Sequence, residues 1–243
     1  MKKRYIVGIS LVVVLLAMVI GWGVYVGDYY AAEATAVTAM GGSERVSVQK
    51  MDNMTVFTPE NPAAGFLFYP GGKVEATAYA PLMLALAERD VLCVLIPMPC
   101  NLAVLQPDAA EGIPEHFPRI ESWYIGGHSL GGSMAASHAA KNASAYDGLV
   151  LLAAYSTADL STSGLPVISI FGSEDGVLNM EKYAEYKCNL PAAFEEHIME
   201  GGCHAGFGSY GPQDGDGVPT ITGEAQIAET ARLLTAFFDS AQE

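Results

Sequence analysis

Positive charge is scarce in this chain of 243 residues, which has 12 Lys and Arg against 27 Asp and Glu and a formal net charge of −15. Nucleic-acid binding requires a concentrated basic surface, so this balance argues against a nucleic-acid partner. Charged residues make up only 16% and apolar types 51%, which excludes intrinsic disorder and provides for a sizeable core. The length predicts one large domain or two small ones.

Cysteine is scarce as well, with four residues in the whole chain. So few cysteines do not form a disulfide scaffold, and no two of them have the Cys-x-x-Cys spacing of a zinc site. The sequence also contains no internal repeat and no low-complexity block.

A long uncharged apolar run is present at the N-terminus, where residues 5–27 follow three basic residues. At about 1.5 Å per residue, a helix of this length crosses the roughly 30 Å hydrocarbon layer. We therefore predict a membrane anchor over residues 1–27. An A-x-A-like sequence, Ala32-Glu33-Ala34, leaves open the alternative that the segment is cleaved as a signal peptide.

The basic residues before the run predict that the N-terminus is cytoplasmic and that the rest of the chain lies outside. The remaining nine Lys and Arg oppose all 27 acidic residues, so the outer part carries a formal charge of −18. Anionic lipid headgroups repel such a surface, so we expect the outer part to be tethered near the membrane rather than to lie on it. Residues 28–43 are predicted to be a short stalk and residues 44–243 a folded domain.

Short β-rich runs alternate with helical stretches after residue 43. This alternation predicts a single α/β domain with a mostly parallel, doubly wound, eight-stranded sheet and helices on both faces. The first two strands are predicted to form an antiparallel pair at an edge. The predicted strands are 45–49, 55–58, 65–69, 91–96, 122–126, 149–153, 167–171 and 194–199, and the predicted helices are 76–88, 131–141, 178–186 and 224–239.

The most informative motif is the G-x-S-x-G sequence Gly127-His128-Ser129-Leu130-Gly131. A predicted strand leads into it, and a stretch of small residues with helix-forming composition follows it. A nucleophile elbow requires this context, because its serine lies on a tight strand-to-helix turn where neighbouring side chains would collide. The helix N-terminus also helps to hold developing negative charge. The motif predicts Ser129 as a catalytic nucleophile.

A serine nucleophile needs a base, and the chain order in this arrangement is serine, acid, histidine. Three histidines follow Ser129, namely His138, His197 and His204. His138 lies in the helix after the motif, where we expect a surface residue, and His197 lies inside the last predicted strand. His204 lies in a glycine-rich loop at a strand end and is the predicted base.

The acid that orients the base is expected in the turn after the next-to-last strand, from which a carboxylate reaches a histidine in the turn after the last. That turn reads Gly172-Ser173-Glu174-Asp175-Gly176. We predict Asp175 as the acid, with its neighbour Glu174 as an alternative. Asp159, which follows the preceding strand, is a lesser alternative.

The oxyanion hole is expected to combine the backbone N–H of Leu130 with one from the loop Tyr69-Pro70-Gly71-Gly72-Lys73. Gly72 is the predicted second donor and Lys73 is the alternative. The Lys73 side chain either is solvated or attracts an anionic substrate.

Several segments resemble the α/β-hydrolases, and more narrowly a bacterial group distantly related to dienelactone hydrolases. The resemblance extends from about residue 55 to the C-terminus. It implies the eight-stranded fold, a triad of Ser129, Asp175 and His204, and ester hydrolysis without a metal or organic cofactor. The segments are FYPGGKVEATAYAPL, MPCNLAVL, WYIGGHSLGG, LLAAYSTADL, FGSEDGVL and GGCHAGFGSYGPQDGDG.

Two cysteines depart from the pattern of that group. Cys203 stands where an asparagine usually precedes the catalytic histidine, and Cys100 stands where an aromatic residue is usual. Both are expected in loops at the active-site end of the sheet, and a disulfide can form outside the membrane. A Cys100–Cys203 bridge that braces the His204 loop is therefore a hypothesis. Dienelactone hydrolases use a cysteine nucleophile, whereas Ser129 shifts the expectation towards serine-esterase chemistry.

Only a short segment, from Tyr155 to Leu165, separates the sixth strand from the seventh, which is too little for a cap domain. The site is expected to be open or covered by loops, and the glycine-rich residues 205–222 are the best candidate for a cover. Asp214-Gly215-Asp216-Gly217 within them superficially resembles a calcium loop. Position twelve of such a loop is Ala225 rather than Glu, so no metal is expected.

These observations together predict a carboxylesterase-like serine hydrolase that acts on an acyl ester through an acyl-enzyme. The acidic surroundings favour a small neutral ester or a lipid-like ester as the substrate. An acyltransferase with the same triad is an alternative, and a catalytically inactive, membrane-tethered binding protein is another.

Overall fold

The structure is a computed structural model that describes residues 2–241, with the side chains of residues 2–9 and 12 outside the description. Its eight strands form one sheet and confirm all eight predicted strands. The strand order is β1-β2-β4-β3-β5-β6-β7-β8. The strands are β1 (Val46–Met51), β2 (Met54–Pro59), β3 (Ala64–Tyr69), β4 (Val91–Leu95), β5 (Trp123–His128), β6 (Gly148–Leu152), β7 (Val167–Gly172) and β8 (Glu195–Met199).

The sheet is mostly parallel. β1 is antiparallel to β2 at one edge, as predicted, and β2 is also antiparallel to β4. All the other neighbouring strands are parallel. Because the carboxyl ends of parallel strands meet at one edge, the turns after β3, β5, β7 and β8 lie near one another.

Six α-helices accompany the sheet in the described chain: α1 (Lys2–Gly27), α2 (Ala34–Ala39), α3 (Ala80–Ala87), α4 (Leu130–Lys141), α5 (Met180–Tyr186) and α6 (Gly223–Ser240). The last four correspond to the predicted helices. The N-terminus of α5 is capped by Asn179 Oδ1, which accepts the N–H of Lys182 at 2.9 Å. Thr222 Oγ1 caps α6 in the same way and accepts the N–H of Ala225 at 3.1 Å.

Two apolar cores lie on opposite faces of the sheet, and β3 shows the division. Phe66 and Phe68 pack into one core with α3 and α6, whereas Leu67 and Tyr69 pack into the other with α4. Successive side chains of a strand point to opposite faces, so a continuous apolar run is needed where both faces are buried. This explains why the predicted strand at residues 65–69 is a continuous apolar run.

The segment predicted to be a stalk, residues 28–43, packs against the domain. The N–H of Tyr30 donates to Lys73 O at 2.7 Å, and the N–H of Glu33 donates to Ser209 O at 2.9 Å. In α2, Ala36 is fully buried. The stalk prediction is therefore wrong for these residues, because backbone hydrogen bonds and the burial of Ala36 hold them against two loops of the domain.

α1 precedes this packed segment. Among the helices of the described residues, none is both long enough and apolar enough to span a bilayer. The predicted anchor over residues 1–27 includes Met1, which lies outside the described residues, and side chains that the structure does not describe. The anchor therefore stays a prediction.

Candidate active site

Ser129 lies at the turn between the end of β5 and the start of α4. Its backbone has φ 53° and ψ −122°, a sparsely populated conformation for a residue with a side chain. The N–H of Ser129 donates to Leu152 O at 2.9 Å, which attaches the turn to the end of β6. The strained conformation lifts the serine side chain above the edge of the sheet at the N-terminus of α4.

The two glycines of the motif are required by the close approach of other backbone. A Cβ atom at Gly131 would collide with the carbonyl oxygens of Tyr69 and Pro70. A Cβ atom at Gly127 would collide with Tyr69 O and would lie 2.7 Å from the carbonyl carbon of Gly131. The turn that carries Ser129 therefore packs directly against the loop after β3.

His204 and Asp175 form a buried pair. His204 Nδ1 lies 2.9 Å from Asp175 Oδ2 and 3.1 Å from Asp175 Oδ1. Both side chains are only 1% exposed. Asp175 Oδ1 also accepts the N–H groups of Val177 at 2.9 Å and Leu178 at 2.8 Å, which fix the carboxylate. An Nδ1–H donated to Asp175 leaves the lone pair of the imidazole on Nε2.

Nε2 of His204 is buried and has no hydrogen-bond partner among the described residues. His204 and Ser129 line the same cavity, whose volume is about 240 Å³. The unpartnered nitrogen is therefore available to a group that enters this cavity. The lining residues are Ser129, Leu130, Ser133, Ala153, Ala154, Tyr155, Val177, Leu178, Asn179 and His204.

The alternative acids bond elsewhere. Glu174 Oε1 accepts from Ser173 Oγ at 3.1 Å, and Asp159 Oδ1 accepts from the N–H and the hydroxyl of Ser161. Neither contacts His204, so of the three carboxylates considered, Asp175 is the one that the structure brings to the histidine.

The other two histidines are remote from Ser129. His197 lies in β8, as expected, and its Nε2 is 3.4 Å from Glu195 Oε2. His138, which was expected at the surface, is buried. Its Nδ1 lies 3.0 Å from Asp108 Oδ1 and its Nε2 lies 2.9 Å from Tyr146 OH. The surface prediction was wrong because the tertiary fold brings Asp108, 30 residues away, and Tyr146, eight residues away, onto the two ring nitrogens.

The loop after β3 offers one free N–H group. The N–H of Gly71 donates to Tyr79 OH at 3.0 Å, and the N–H of Lys73 donates to Asn101 O at 2.8 Å. In the part of the chain that the structure describes, the N–H of Gly72 has no partner. Gly72 also lies beside the Leu130 side chain, since a Cβ on it would be 3.0 Å from Leu130 Cδ2.

The Lys73 side chain does not line the Ser129 cavity but forms an ion pair with Asp28. Its Nζ lies 2.6 Å from Asp28 Oδ2, and this ion pair raises the pKa of Lys73. The lysine thus pairs with the segment that precedes the domain.

The His128 ring packs against the His204 ring, with the two ring centroids 4.5 Å apart. Its Nδ1 is 2.8 Å from Tyr79 OH, the oxygen that also accepts the N–H of Gly71. Burial, together with the nearby His204, holds the pKa of His128 well below its usual value. The ring is therefore neutral at neutral pH, and Tyr79 connects the loop after β3 to the residue before Ser129. Neither aromatic residue was predicted as part of the site.

The glycine-rich residues 205–222, expected as a cover, do not line the Ser129 cavity, although they directly follow His204, which does. No α-helix lies between β6 and β7 in the described chain, in line with the prediction that a cap domain is missing. The loop instead places Asp216 beside the His204 backbone. Sequence reasoning missed this role, although the Asp-Gly-Asp-Gly motif had marked the position as unusual.

The cysteines do not form the hypothesised bridge. All four are free thiols, with Cys100 exposed and Cys203 buried. Burial, with Asp216 nearby, raises the pKa of the Cys203 thiol to about 11. Cys203 is therefore a protonated thiol at neutral pH rather than a second nucleophile. Cys93 lies in the core.

Comparisons with known proteins agree with this architecture. The sequence model of the alpha/beta hydrolase family matches residues 65–228. TT1662 from Thermus thermophilus is similar in structure, with a TM-score of 0.57 and 17% identity over 82% of this chain and 99% of that one. A dienelactone hydrolase from Anabaena variabilis has a TM-score of 0.57 and 12% identity over 81% of this chain and 99% of its own.

A third similar structure is MGS-MChE2, an alpha/beta hydrolase enzyme from a sediment metagenome of the Mar Chica lagoon in Morocco. It has a TM-score of 0.58 and 13% identity, and covers 81% of this chain and 100% of its own. Identities this low show a shared fold and nothing finer. No curated protein matches the sequence.

Proposed function

Because this chain belongs to the alpha/beta hydrolase family, we propose that it is a serine hydrolase that cleaves acyl esters. Ser129 is the nucleophile, His204 the base, and Asp175 the acid that orients the base. One observation carries the proposal: a serine in a strained strand-to-helix turn shares a cavity with a histidine whose other nitrogen is bound to a buried carboxylate.

The reaction follows from the properties of these atoms. Ser129 Oγ attacks the acyl carbonyl while His204 Nε2 takes the hydroxyl proton, and the same nitrogen returns the proton to the leaving alcohol. Asp175 accepts the Nδ1–H bond, which holds the imidazole in the required tautomer and stabilises the imidazolium as it forms. Water then attacks the acyl-enzyme by the same route and releases the acid.

The developing oxyanion needs two donors, and two N–H groups are available beside Ser129. Leu130 is the first residue of α4, so its N–H has no partner within the helix. The N–H of Gly72 is the free donor of the loop after β3, whereas that of Lys73 is already bonded to Asn101. We therefore assign the oxyanion hole to Leu130 and Gly72 and set Lys73 aside.

The cavity supports a short, neutral acyl group. Its volume of about 240 Å³ is below the range of about 300–1,000 Å³ that is usual for drug-sized ligands. No Lys or Arg lines it, so a carboxylate or phosphate on the acyl part would lack a counter-ion there. We expect kcat/KM for p-nitrophenyl esters to fall from acetate and butyrate to octanoate. A steady rise towards octanoate would contradict the short-chain assignment.

Labelling with a fluorophosphonate probe tests the nucleophile. The natural chain should be labelled, and so should the control Ser137→Ala, whose serine lies in α4. Ser129→Ala should not be labelled. Circular dichroism should show that all three are folded. Labelling of Ser129→Ala, or no labelling of the folded natural chain, would refute the assignment.

We also propose that the N-terminal segment tethers the domain to the outside of a membrane. The proposal is supported by the described apolar side chains of α1, most of which are exposed, for example those of Leu11, Val19 and Val24. A protease added to intact cells should digest the domain, and detergent alone should release it from the membrane fraction. Protection from the protease would contradict this orientation.

A further inference from the structure

Asp216 accepts four backbone hydrogen bonds. Its Oδ1 accepts the N–H groups of Gly176 at 3.1 Å, His204 at 3.1 Å and Gly217 at 2.9 Å. Its Oδ2 accepts the N–H of Ala205 at 2.8 Å. Three of these donors belong to the site: His204 itself, the residue after it, and the residue after Asp175. One carboxylate therefore joins the loop that carries the base to the turn that carries the acid.

Backbone packing brings the loop of Asp216 against that turn. A Cβ atom at Gly217 would collide with the Glu174 carbonyl, and one at Gly176 would lie 2.5 Å from Gly215 O. Gly215 has φ +84°, a conformation that favours glycine. These contacts explain the Asp-Gly-Asp-Gly sequence. Its glycines allow the loop to approach the Asp175 turn closely, and its second aspartate accepts hydrogen bonds from the backbone amides that this approach brings together.

The bond pattern requires an ionised carboxylate. An ionised carboxylate is an acceptor on both oxygens, whereas an amide or a protonated carboxyl has a donor in place of one acceptor. Partial burial acts to raise the pKa of Asp216, but the four N–H bonds outweigh it and hold the pKa below the usual value. Asp216 is therefore charged at neutral pH.

We propose that Asp216 is a positioning residue, which fixes the backbone of His204 and of the Asp175 turn so that the imidazole is held over Ser129. Asp216 does not line the Ser129 cavity, so it acts through the pair rather than on the substrate. The inference rests on the proposed serine-hydrolase function, since it assigns a role in the same site. Without the carboxylate, the two loops lose the bonds that Asp216 makes to both of them, and the ring samples positions away from the nucleophile.

The test compares Asp216→Asn with the control Asp214→Asn. Both remove one negative charge from the same loop, but Asp214 is exposed and, within the described residues, its carboxylate has no hydrogen-bond partner. For p-nitrophenyl acetate, Asp216→Asn should lower kcat by about 100-fold, the size expected from a displacement of about 1 Å, and leave KM within about threefold. Asp214→Asn should match the natural chain in both constants.

Each outcome decides a different question. Equal kcat values for Asp216→Asn and Asp214→Asn would overturn the positioning role, and so would a change confined to KM. If the natural chain itself fails to hydrolyse the ester or to react with the fluorophosphonate probe, the proposed function fails instead.

A measurement on the natural chain decides the matter if Asp216→Asn does not fold. Amide hydrogen exchange should show the N–H groups of Gly176, His204 and Ala205 protected to a similar degree, although they lie in loops. Exchange as fast as that of the exposed N–H of Gly215 would overturn the proposal.

Discussion

The turn around Ser129 and the loop around His204 are fixed in different ways. The Ser129 turn is formed by five consecutive residues at the junction of β5 and α4, and it is held by backbone contact of its two glycines with the loop after β3. The His204 loop depends on Asp175 and Asp216, which are 29 and 12 residues away in the chain. The nucleophile is thus positioned by the close packing of backbone around a tight turn, and the base by carboxylates from other parts of the sequence.

Asp175 holds the base of the His204 loop, and its replacement should have the largest effect on activity. Asp175→Asn keeps the shape of the side chain but can present an N–H group to His204 Nδ1, which favours the wrong tautomer. We expect kcat to fall by about 10⁴-fold, as when an orienting aspartate is replaced in other triads. Glu174→Gln, the neighbouring change, should retain nearly full activity. A similar loss in both variants would mean that Asp175 is not the orienting acid.

A glycine in each region can be compared directly. Gly131→Ala places a Cβ against two carbonyl oxygens of the loop after β3, so we expect a loss of about 3 kcal/mol in the free energy of unfolding. Gly215→Ala meets no atom within 4 Å and has only the unfavourable φ of +84°, so we expect about 1 kcal/mol. Urea unfolding measures both. Equal losses would show that the Ser129 turn is not held by close backbone contact.

His128 lies where the two regions meet, and its titration should affect stability. Its pKa is lowered in the folded state, so below about pH 6.5 the unfolded chain binds more protons and stability falls as the pH falls. From pH 7.5 to pH 5.5 the natural chain should lose more of its free energy of unfolding than His128→Gln does, because the unfolded chain takes up a proton that the buried ring does not. Parallel pH profiles for the two chains would contradict a neutral, buried His128.

Lys73 should show the smallest effect. Its side chain pairs with Asp28 near the surface, and its N–H is bonded to Asn101, so neither contributes to the oxyanion hole. We expect Lys73→Met to leave kcat and KM for neutral esters and the melting temperature unchanged. A drop in kcat would mean that the lysine acts on the substrate.

The difference between the two regions also explains what the sequence could predict. All eight strands and the four helices that follow residue 43 were predictable because their apolar runs and helical composition are local signals. Ser129 was predictable for the same reason, and His204 and Asp175 followed from chain order. Asp216 was missed because its partners are backbone amides, which any sequence contains.

Two other errors have the same origin. Residues 28–43 have little apolar bulk, so nothing local indicated that Tyr30 and Glu33 bond to the loops at Lys73 and Ser209. His138 precedes Lys141 on a helix of small residues, and the tertiary fold alone brings its partners, the exposed Asp108 and the buried Tyr146, to its ring. Contacts between distant segments were the part that the sequence could not predict.

Mass-spectrometric mapping of the fluorophosphonate adduct tests directly whether Ser129 is the nucleophile. Trypsin should release residues 120–141, a peptide that contains four serines, and fragmentation can then locate the added group. We expect one phosphonyl group per chain, on Ser129, and its slower formation in Asp216→Asn than in Asp214→Asn. An adduct on another residue of the folded protein, or none at all, would show that Ser129 is not the nucleophile.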